Sequence, residues 1–507
     1  MSVGAPAHRA SVAALIVALG VLIAAGVMGA RLVGVMRGTD ARTRTGKPNL
    51  LVVTLDTCRK DRLSVYGNAR NTSPALVALA GDGFVFDNAF TVATNSAPSH
   101  ATIFTGLYPF QHGLVDNGLE LPKEIPTLAK FLSAAGYDTA GFVGYDAVGA
   151  EALFDQGFGT FRMDEIDEHG HATRTIEGET RSFAAALDWM KAWQRKGPQG
   201  GDAAPPARHD PFFVWLHAQQ MHEADPPKPY DSLFLDVPRA HDVAGFGRGK
   251  FDIRCFDDVS SAYLAGNLTQ DLQSEAIALY DGEVRLVDDQ LAAIVAFLKD
   301  AGLYDDTVIV AVADHGEMFF EKPGGDFGTI EPGHTAEYFD QILRVPLIVK
   351  PAQRSALASG VRLPQMVSTV DVLPTILELL HYERFPWLAG RSRMPLMRDP
   401  RERTEERIFF EEAPWEMKCA GMRTPEWKLI MKSEDGRDHV ALIDLANDPR
   451  EERDVSRVDS AQAETMLQTV RKRLESQDTV TPSSYADMSE KMRDELRRAG
   501  YLRDKKP

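Results

Sequence analysis

The amino-acid sequence predicts an α/β fold with a large, mainly parallel central sheet flanked by helices and a small C-terminal α+β subdomain. Three short segments are continuously apolar and rich in β-branched residues, at Asn49–Leu55, Phe212–Leu216 and Thr307–Ala313. Strands that are buried on both faces of a parallel sheet have this composition. Helical patterns lie between these segments, and such alternation is typical of a parallel sheet covered by helices.

The elements beside these strands follow in chain order. A helix is predicted over Thr127–Ala135, followed by a strand near Thr139–Val143. A second helix is predicted over Ser182–Arg195, before a loop that is rich in Gly and Pro. The longest helical pattern covers Tyr280–Leu298, where apolar residues recur at the spacing of one helix face.

The character of the sequence changes at about Arg403. Beyond this point we predict short strands at Trp427–Met431 and Val440–Asp444, and a helix over Ala461–Glu475. The order of these elements differs from the alternation of strands and helices upstream. We therefore expect a larger domain over residues 48–400 and a C-terminal subdomain with a tail over residues 403–507.

An apolar segment precedes the α/β pattern. The run Ala10–Ala30 has no charged residue and consists mostly of Ala, Val, Leu and Ile. At the rise of an α-helix this length crosses roughly 30 Å of hydrocarbon. We expect residues 1–38 to be a transmembrane anchor that holds a single-pass protein in the membrane, with a cleaved signal peptide as the alternative. The charges that flank the run leave its orientation open.

Composition excludes some classes of partner and site. The 507 residues carry a formal net charge of −17, whereas a general nucleic-acid binder needs a basic surface to neutralise phosphates. We therefore expect no nucleic-acid partner. The three cysteines, Cys58, Cys255 and Cys419, are scattered without paired spacing, which argues against a disulfide framework and against a thiolate zinc site.

Potential metal ligands follow two of the predicted strands. Asp56 comes directly after the first strand, and Asp314 with His315 comes directly after Thr307–Ala313. Open α/β sheets place their sites outside the carboxyl ends of the strands. An acidic residue after a strand is also a common turn former, so the prediction depends on two such strand ends and the adjacent imidazole. Together these ligands suit a hard or borderline divalent cation.

Ser96 is a candidate nucleophile at the start of a predicted helix. It precedes Pro98 by two residues, and proline is favoured in the first turn of a helix. A hydroxyl there lies near the positive end of the helix and near free backbone N–H groups. Contact with a cation would make its alkoxide more accessible. The alternative is that Ser96 is a helix N-cap without a chemical role.

Histidines are concentrated near the same elements. They follow predicted strands or lie in turns rich in Gly and Pro, at His100, His112, His217, His222, His315 and His334. A single histidine is more often structural than catalytic. Because several are grouped here, we take His100, His217, His222 and His334 as candidates for oxyanion contacts and for protonation of a leaving group.

Several stretches that contain these residues occur in a fixed order along the chain: TLDTCRKDRLSVYG, NSAPSHATIFTGLYPFQHG, WLHAQQMHEADPP, TVIVAVADHGE and GHTAEYFDQILRVPLIV. In this order they resemble the motifs of the sulfatase family, in the alkaline-phosphatase superfamily. The resemblance covers about residues 48–460 and implies an alkaline-phosphatase-like fold with its catalytic domain over residues 48–400. It implies hydrolysis of a sulfate or phosphate ester on a small, glycan-linked or lipid-linked substrate, by a domain that is exported to the periplasm or the cell exterior.

The resemblance also implies one divalent metal ion bound by Asp56, Ser96, Asp314 and His315. Ca²⁺ or Mn²⁺ is the preferred expectation, with Mg²⁺ and Zn²⁺ as alternatives. Ser96 would be the nucleophile, either unmodified or converted to formylglycine.

Two departures from the family pattern concern the substrate. Sulfatases make formylglycine from the Cys or Ser of a C/S-x-P-x-R motif, and His100 stands here at the position of the Arg. The family's lysine-bearing G-K-W-H stretch falls on residues 143–146 (VGYD), which contain no Lys. Both departures favour an unmodified Ser96 that attacks phosphorus. The alternatives are a phosphodiesterase, a phosphoglycerol- or phosphoethanolamine-type transferase acting on a membrane glycolipid or glycan, and a catalytically inactive, membrane-tethered binding module.

Overall fold

A mixed sheet of eight strands lies at the centre of the computed structural model. The structure describes residues 47–123, 125–164, 181–196, 210–222, 226–235, 263, 266, 268–321, 326–327, 332–382, 388–404, 406–434 and 436–476. In chain order the strands are β1 (Asn49–Leu55), β2 (Phe84–Phe90), β3 (Asp138–Val143), β4 (Thr160–Met163), β5 (Phe212–Ala218), β6 (Thr307–Ala313), β7 (Arg344–Lys350) and β8 (Val361–Ser368).

The strands lie in the order β4-β3-β5-β1-β6-β7-β2-β8 across this sheet. Strand β7 runs antiparallel to both of its neighbours, β6 and β2. The other pairings of the sheet are parallel. The predicted α/β fold with a large, mainly parallel sheet is therefore confirmed.

The three apolar segments form the middle of the sheet. Strand β1 lies between β5 and β6, and every residue of these three strands is buried. Their continuous apolar character follows from this burial on both faces. In the register of the sheet, Leu55 pairs with Ala218 on one side and with Ala313 on the other. The residues that follow these three strands therefore meet at one edge.

Helices cover the sheet, and their bounds are α1 (Pro74–Gly81), α2 (Ser96–Thr105), α3 (Pro109–His112), α4 (Leu128–Ala134), α5 (Arg181–Arg195), α6 (Gln270–Asp300), α7 (Asp340–Leu343), α8 (Val372–Leu379) and α9 (Met394–Arg398). Short 3₁₀ turns lie at Lys60–Arg62, Ser64–Tyr66, Asp146–Val148, Gln220–His222, Tyr304–Asp306, Gln353–Ser355, Thr369–Asp371 and Pro414–Glu416. Helix α6 begins ten residues before the predicted Tyr280, because the Thr269 side chain caps it by accepting a hydrogen bond from the Leu272 N–H.

A smaller antiparallel sheet follows towards the C-terminus. Its strands are β9 (Ile408–Glu412), β10 (Lys418–Arg423), β11 (Trp427–Glu434) and β12 (Arg437–Asp444), in the order β12-β11-β10-β9. Helix α10 (Ser460–Glu475) packs on this sheet through Ala463, Met466, Leu467 and Val470. The predicted α+β subdomain is thus present, although β9 and β10 were not predicted.

A buried ionic cluster joins the small sheet to the region around helix α7. Lys428 on β11 is fully buried and donates to Asp340 Oδ1 at 2.6 Å and to the Tyr338 carbonyl at 3.0 Å. Its ammonium group also pairs with Glu451. Desolvation alone would raise the pKa of Asp340, but the charges of Lys428 and Arg423 outweigh it and hold that pKa below its usual value.

The described part of the chain gives no support for a membrane span. Among these residues, no helix combines the length and the apolar character that crossing a bilayer requires. This finding contradicts the predicted single-pass membrane localisation with an exported catalytic domain, and we withdraw that prediction. The apolar run Ala10–Ala30, with the rest of the predicted anchor, lies outside the described residues.

Candidate active site

The predicted metal ligands lie together at the carboxyl edge of the sheet. Asp56 follows β1 and Asp314 follows β6, and both side chains are fully buried, as is His315. Ligand atoms of these three residues all lie within 4.8 Å of one another. The sheet register causes this convergence, because Leu55 and Ala313 are paired directly before the two aspartates.

Most oxygens of the two carboxylates have no hydrogen-bond donor among the described residues. Asp314 Oδ1 accepts hydrogen bonds from the N–H groups of Thr57, at 3.2 Å, and His315, at 2.7 Å. Asp314 Oδ2 and both oxygens of Asp56 are buried, and they accept no hydrogen bond from the described residues. Burial raises the pKa of both carboxyl groups. Buried, clustered carboxylates of this kind fit a divalent cation, which would neutralise them and use their free oxygens as ligands.

The turn after Asp56 is held by Tyr280 of helix α6. Thr57 adopts a left-handed backbone conformation, with φ of 51°, which is uncommon for a residue with a branched side chain. The Tyr280 hydroxyl donates to the Thr57 carbonyl at 2.7 Å and accepts from the Arg59 N–H at 2.8 Å. Tyr280 therefore fixes the backbone that presents the Thr57 N–H to Asp314.

His315 points its Nε2 at this cluster. Its Nδ1 lies 3.0 Å from the Gly316 carbonyl, and a carbonyl only accepts, so Nδ1 carries the hydrogen. Nε2 lies 3.2 Å from Ser96 Oγ and 3.4 Å from Asp314 Oδ2. Burial lowers the pKa of His315, but the charges of Asp314 and Asp56 outweigh burial and raise it above its usual value. The geometry of Nε2 suits a metal ligand.

Ser96 is the first residue of helix α2, and Asn95 occupies the N-cap position. The alternative that Ser96 is itself the N-cap is therefore wrong. Every residue of this helix is buried, and the Ala97 N–H donates to Asn117 Oδ1 at 2.8 Å. The Ser96 hydroxyl lies at the positive end of the helix, which favours an anion, and its Oγ is beside His315 of the carboxylate cluster.

His100 and His217 are adjacent and lie against the two carboxylates. His100 Nδ1 is 3.6 Å from Asp314 Oδ2, and His217 Nε2 is 3.4 Å from Asp56 Oδ2. Their rings are 4.8 Å apart and nearly perpendicular. His100 Nδ1 lies 2.8 Å from the Ser96 carbonyl, and His217 Nδ1 lies 3.1 Å from Thr54 Oγ1. Burial lowers the pKa of His100 to about 3 and the pKa of His217 to about 4. Both imidazoles are therefore neutral at physiological pH, and neither Nε2 has a hydrogen-bond partner in the described residues.

His334 and His222 extend the cluster outwards. The His334 ring stacks on His315 with centroids 4.3 Å apart, and His222 lies 5.5 Å from His334. Glu317 Oε2 contacts His334 Nδ1 at 3.2 Å, and burial raises the pKa of Glu317 to about 8. Glu317 was not predicted, although its position two residues after His315 was a signal.

His112 lies apart and contacts Thr102 Oγ1 at 3.2 Å, which is a structural contact.

Glu412 of strand β9 is a second buried carboxylate that was not predicted. It is fully buried, and its oxygens accept hydrogen bonds from the backbone N–H groups of Thr94 and Asn95, at 3.1 and 3.2 Å. These residues form the turn that enters helix α2. The acidic pair at the end of the apolar strand, in the sequence IFFEE, was the local signal for this residue.

Two family models match the chain. The sulfatase model matches residues 48–382, and the model of the C-terminal region of N-sulphoglucosamine sulphohydrolase matches residues 336–479. An arylsulfatase of Clostridium perfringens (strain 13 / Type A) is 24% identical over 457 residues, covering 80% of this chain and 89% of that protein. A choline-sulfatase of Rhizobium meliloti (strain 1021) is 26% identical over 454 residues, covering 80% and 82%.

A solved structure supports the same architecture. The phosphonate monoester hydrolase of Agrobacterium radiobacter superposes with a TM-score of 0.60 at 22% identity, covering 85% of this chain and 95% of that protein. At this identity the likeness shows the fold alone. The family model, in contrast, matches more than half of the sequence. The chain therefore belongs to the sulfatase family of the alkaline-phosphatase superfamily, and it is an enzyme of the sulfuric ester hydrolase type.

Proposed function

We propose that this enzyme cleaves a sulfate or phosphate ester with Ser96 as the nucleophile and with Asp56, Asp314, His315 and Ser96 as ligands of a divalent metal ion. The observation that carries the proposal is the placement of the Ser96 hydroxyl against a buried cluster of unsatisfied carboxylates. Ser96 Oγ lies 3.2 Å from His315 Nε2, and the ligand atoms of the three other residues lie within 4.8 Å of one another. When bound, a divalent ion, with Ca²⁺ or Mn²⁺ preferred, supplies charge neutralisation to the ester oxygens and to the serine alkoxide.

Side chains of this protein supply the nucleophile, the contacts to the ester oxygens and the proton for the leaving group in this proposal. Ser96 loses its hydroxyl proton to solvent, and the positive end of helix α2 favours the resulting negative charge on Oγ. Oγ then forms a bond to sulfur or phosphorus while the bond to the alcohol oxygen breaks. We assign contacts to the ester oxygens to His100 and His217. We assign protonation of the departing alcohol oxygen to His222 or His334, which lie on the outer side of the cluster. Water then attacks the ester formed on Ser96 and releases sulfate or phosphate.

The surroundings of Ser96 favour phosphorus over sulfur in this proposal. A plain serine forms an ester that water must attack directly, and metal-assisted displacement at a seryl phosphate is a workable second step. His100, which stands where the formylglycine motif has Arg, is buried and neutral, with a pKa of about 3. A neutral side chain is a poor replacement for a guanidinium group. Transfer of a phosphoglycerol- or phosphoethanolamine-type group to a glycan remains the enzymatic alternative, because it would use the same serine.

A substrate panel tests this proposal. The purified protein is assayed against 4-nitrophenyl sulfate, 4-nitrophenyl phosphate, bis(4-nitrophenyl) phosphate and a phenylphosphonate ester, before and after chelation. We expect turnover of at least one ester, loss of turnover on chelation, and recovery with Ca²⁺ or Mn²⁺. Asp56→Asn should remove both turnover and stoichiometric metal. A protein that binds stoichiometric metal and cleaves no ester in the panel would contradict the proposal and favour a binding module.

A further inference from the structure

The carboxylate of Glu412 collects donors from the turn before Ser96. Its Oε2 accepts from the Thr94 N–H at 3.1 Å, from the Asn95 N–H at 3.2 Å and from Asn95 Nδ2 at 3.3 Å. Its Oε1 accepts from the Thr94 hydroxyl and from the Tyr338 hydroxyl, the latter at 2.7 Å. A residue of the small C-terminal sheet thus holds both the backbone and the side chains of the turn that leads into the nucleophile helix.

The same turn is bonded to the loop that carries His334. The Ala336 N–H donates to Thr94 Oγ1 at 3.1 Å, and the Thr335 hydroxyl donates to Asn95 Oδ1 at 3.2 Å. Thr335 directly follows His334 in the chain. The polar side chains of Thr94 and Asn95 therefore lie between Glu412 on one side and the histidine loop on the other.

The contacts of Glu412 suit a carboxylate, because its two oxygens can accept from all of these groups. Burial raises the pKa of Glu412, and the hydrogen bonds from Thr94 and Tyr338 oppose that rise. Each group that contacts the two oxygens is a donor, and three of the hydrogen bonds fall on Oε2 alone. A glutamine would either put its NH₂ group against the N–H donors at the Oε2 position or turn it towards the two hydroxyls, whose hydrogens would then need other acceptors.

We propose that Glu412 is a positioning residue that fixes Ser96 and His334 relative to each other through the side chains of Thr94 and Asn95. The inference rests on the proposed function, in which Ser96 attacks and His334 is one of the two histidines assigned to the leaving group. It assigns to the C-terminal sheet a part in catalysis in addition to its part in folding. Misplacement of reacting groups by about 1 Å costs on the order of a hundredfold in rate, so loosening this turn acts on kcat.

A series of substitutions at Glu412 separates this role from packing. We expect kcat to fall in the order wild type, Glu412→Asp, Glu412→Gln, Glu412→Ala, with the glutamine variant about tenfold to a hundredfold below wild type. Aspartate keeps both acceptor oxygens and the charge, whereas glutamine keeps the volume but loses an acceptor. KM for the same 4-nitrophenyl ester and the metal stoichiometry should stay within about twofold, because Glu412 touches none of the proposed ligands.

The matched control is Glu411→Gln, on the same strand. Glu411 accepts from the Phe110 N–H at 3.1 Å and lies near Arg473, so this change should leave kcat unaltered. If glutamine at position 412 retained more activity than aspartate, or if kcat did not change in any variant below its thermal transition, the positioning role would be wrong and Glu412 would serve packing alone.

Hydrogen–deuterium exchange separates this inference from the proposed function. In Glu412→Gln the peptides that contain Thr94 and Asn95 and those that contain Thr335 and Ala336 should exchange faster, with no such change in the Glu411 control. This result would support the coupling even if the wild type cleaved no ester in the panel. Unchanged exchange in both segments would overturn the coupling even in an active enzyme.

Discussion

Replacement of Asp314 by asparagine should stabilise the metal-free protein and abolish its stabilisation by metal. The amide keeps the acceptor that receives the N–H groups of Thr57 and His315. It replaces Oδ2, which is buried and accepts no hydrogen bond in the described residues. Because the isosteric change removes one of two clustered negative charges, its effects with and without metal should have opposite signs.

The magnitude follows from the separation of the two carboxylates. Ligand atoms of Asp56 and Asp314 lie within 4.8 Å of each other, and two unit charges at that distance repel by about 3 kcal/mol at an effective dielectric constant of 20. Burial raises the pKa of both groups, so partial protonation relieves some of this repulsion. We therefore expect the metal-free variant to be about 1–3 kcal/mol more stable than wild type near pH 8.

The free energy of unfolding of the metal-free wild type should fall as the pH rises. A carboxyl group with a raised pKa binds its proton more tightly in the folded state than in the unfolded state. Below the pKa of the carboxyl group in the unfolded chain, the group is protonated in both states and does not change the free energy of unfolding. As the pH rises towards the folded pKa, the unfolded state ionises first and the metal-free wild type loses stability. The advantage of Asp314→Asn should therefore grow with pH over this window.

Urea unfolding in EDTA and in Ca²⁺ or Mn²⁺ measures both effects. At a metal concentration of about 100 times Kd, wild type should gain about 2.7 kcal/mol, whereas Asp314→Asn should gain nothing. Asp305→Asn is the control, because Asp305 is exposed and lies in the turn before the opposite end of β6. An Asp314→Asn protein that is less stable than wild type in EDTA, or that metal stabilises as it does wild type, would refute this reasoning.

Three further outcomes are expected. Tyr280→Phe should cost about 1–3 kcal/mol in urea unfolding, because it leaves buried backbone groups unpaired, and calorimetry should show weaker metal binding because the Thr57 turn loosens. Lys428→Met should cost about 3 kcal/mol or more, since it leaves buried carboxylates without their cation; the same unfolding assay checks this. Because the pKa values of His100 and His217 are about 3 and 4, kcat should show no fall from their protonation until the pH approaches 4.

Much of the central fold could be predicted because burial leaves a strong signal in the sequence. The bounds of β1 and β6 agree with the apolar runs at Asn49–Leu55 and Thr307–Ala313. The order of the strands could not be predicted, because it depends on contacts between distant segments. Strand β2 pairs with β8 on one side and with the antiparallel strand β7 on the other, and no local pattern encodes these neighbours.

Some residues of the candidate site could likewise be found from the sequence, and others could not. Asp56, Asp314 and His315 were found from their positions after strands, since the carboxyl ends of adjacent strands meet. Glu317 and Glu412 were missed because carboxylates near the end of a motif or strand are common on protein surfaces. Their burial and their contacts with His334 and the Thr94 turn are properties of the folded chain. The catalytic and ligand roles of all these residues stay predictions.

The most direct test of the account is the mass of the peptide that contains Ser96 during turnover. Wild type is mixed with the ester that it cleaves fastest, quenched in acid and digested, and Ser96→Ala is treated in parallel. The account predicts an unmodified serine before reaction and a mass gain on Ser96 in the quenched sample. The gain is roughly 80 mass units if the ester is the aryl sulfate or the phosphate monoester, and it is larger by the retained aryl or phenyl substituent if the ester is the diester or the phosphonate. Ser96→Ala should show no gain. A loss of about two mass units at Ser96 in the resting protein, as expected for conversion of the alcohol to an aldehyde, would contradict the unmodified serine, and an adduct on another residue would contradict Ser96 as the nucleophile.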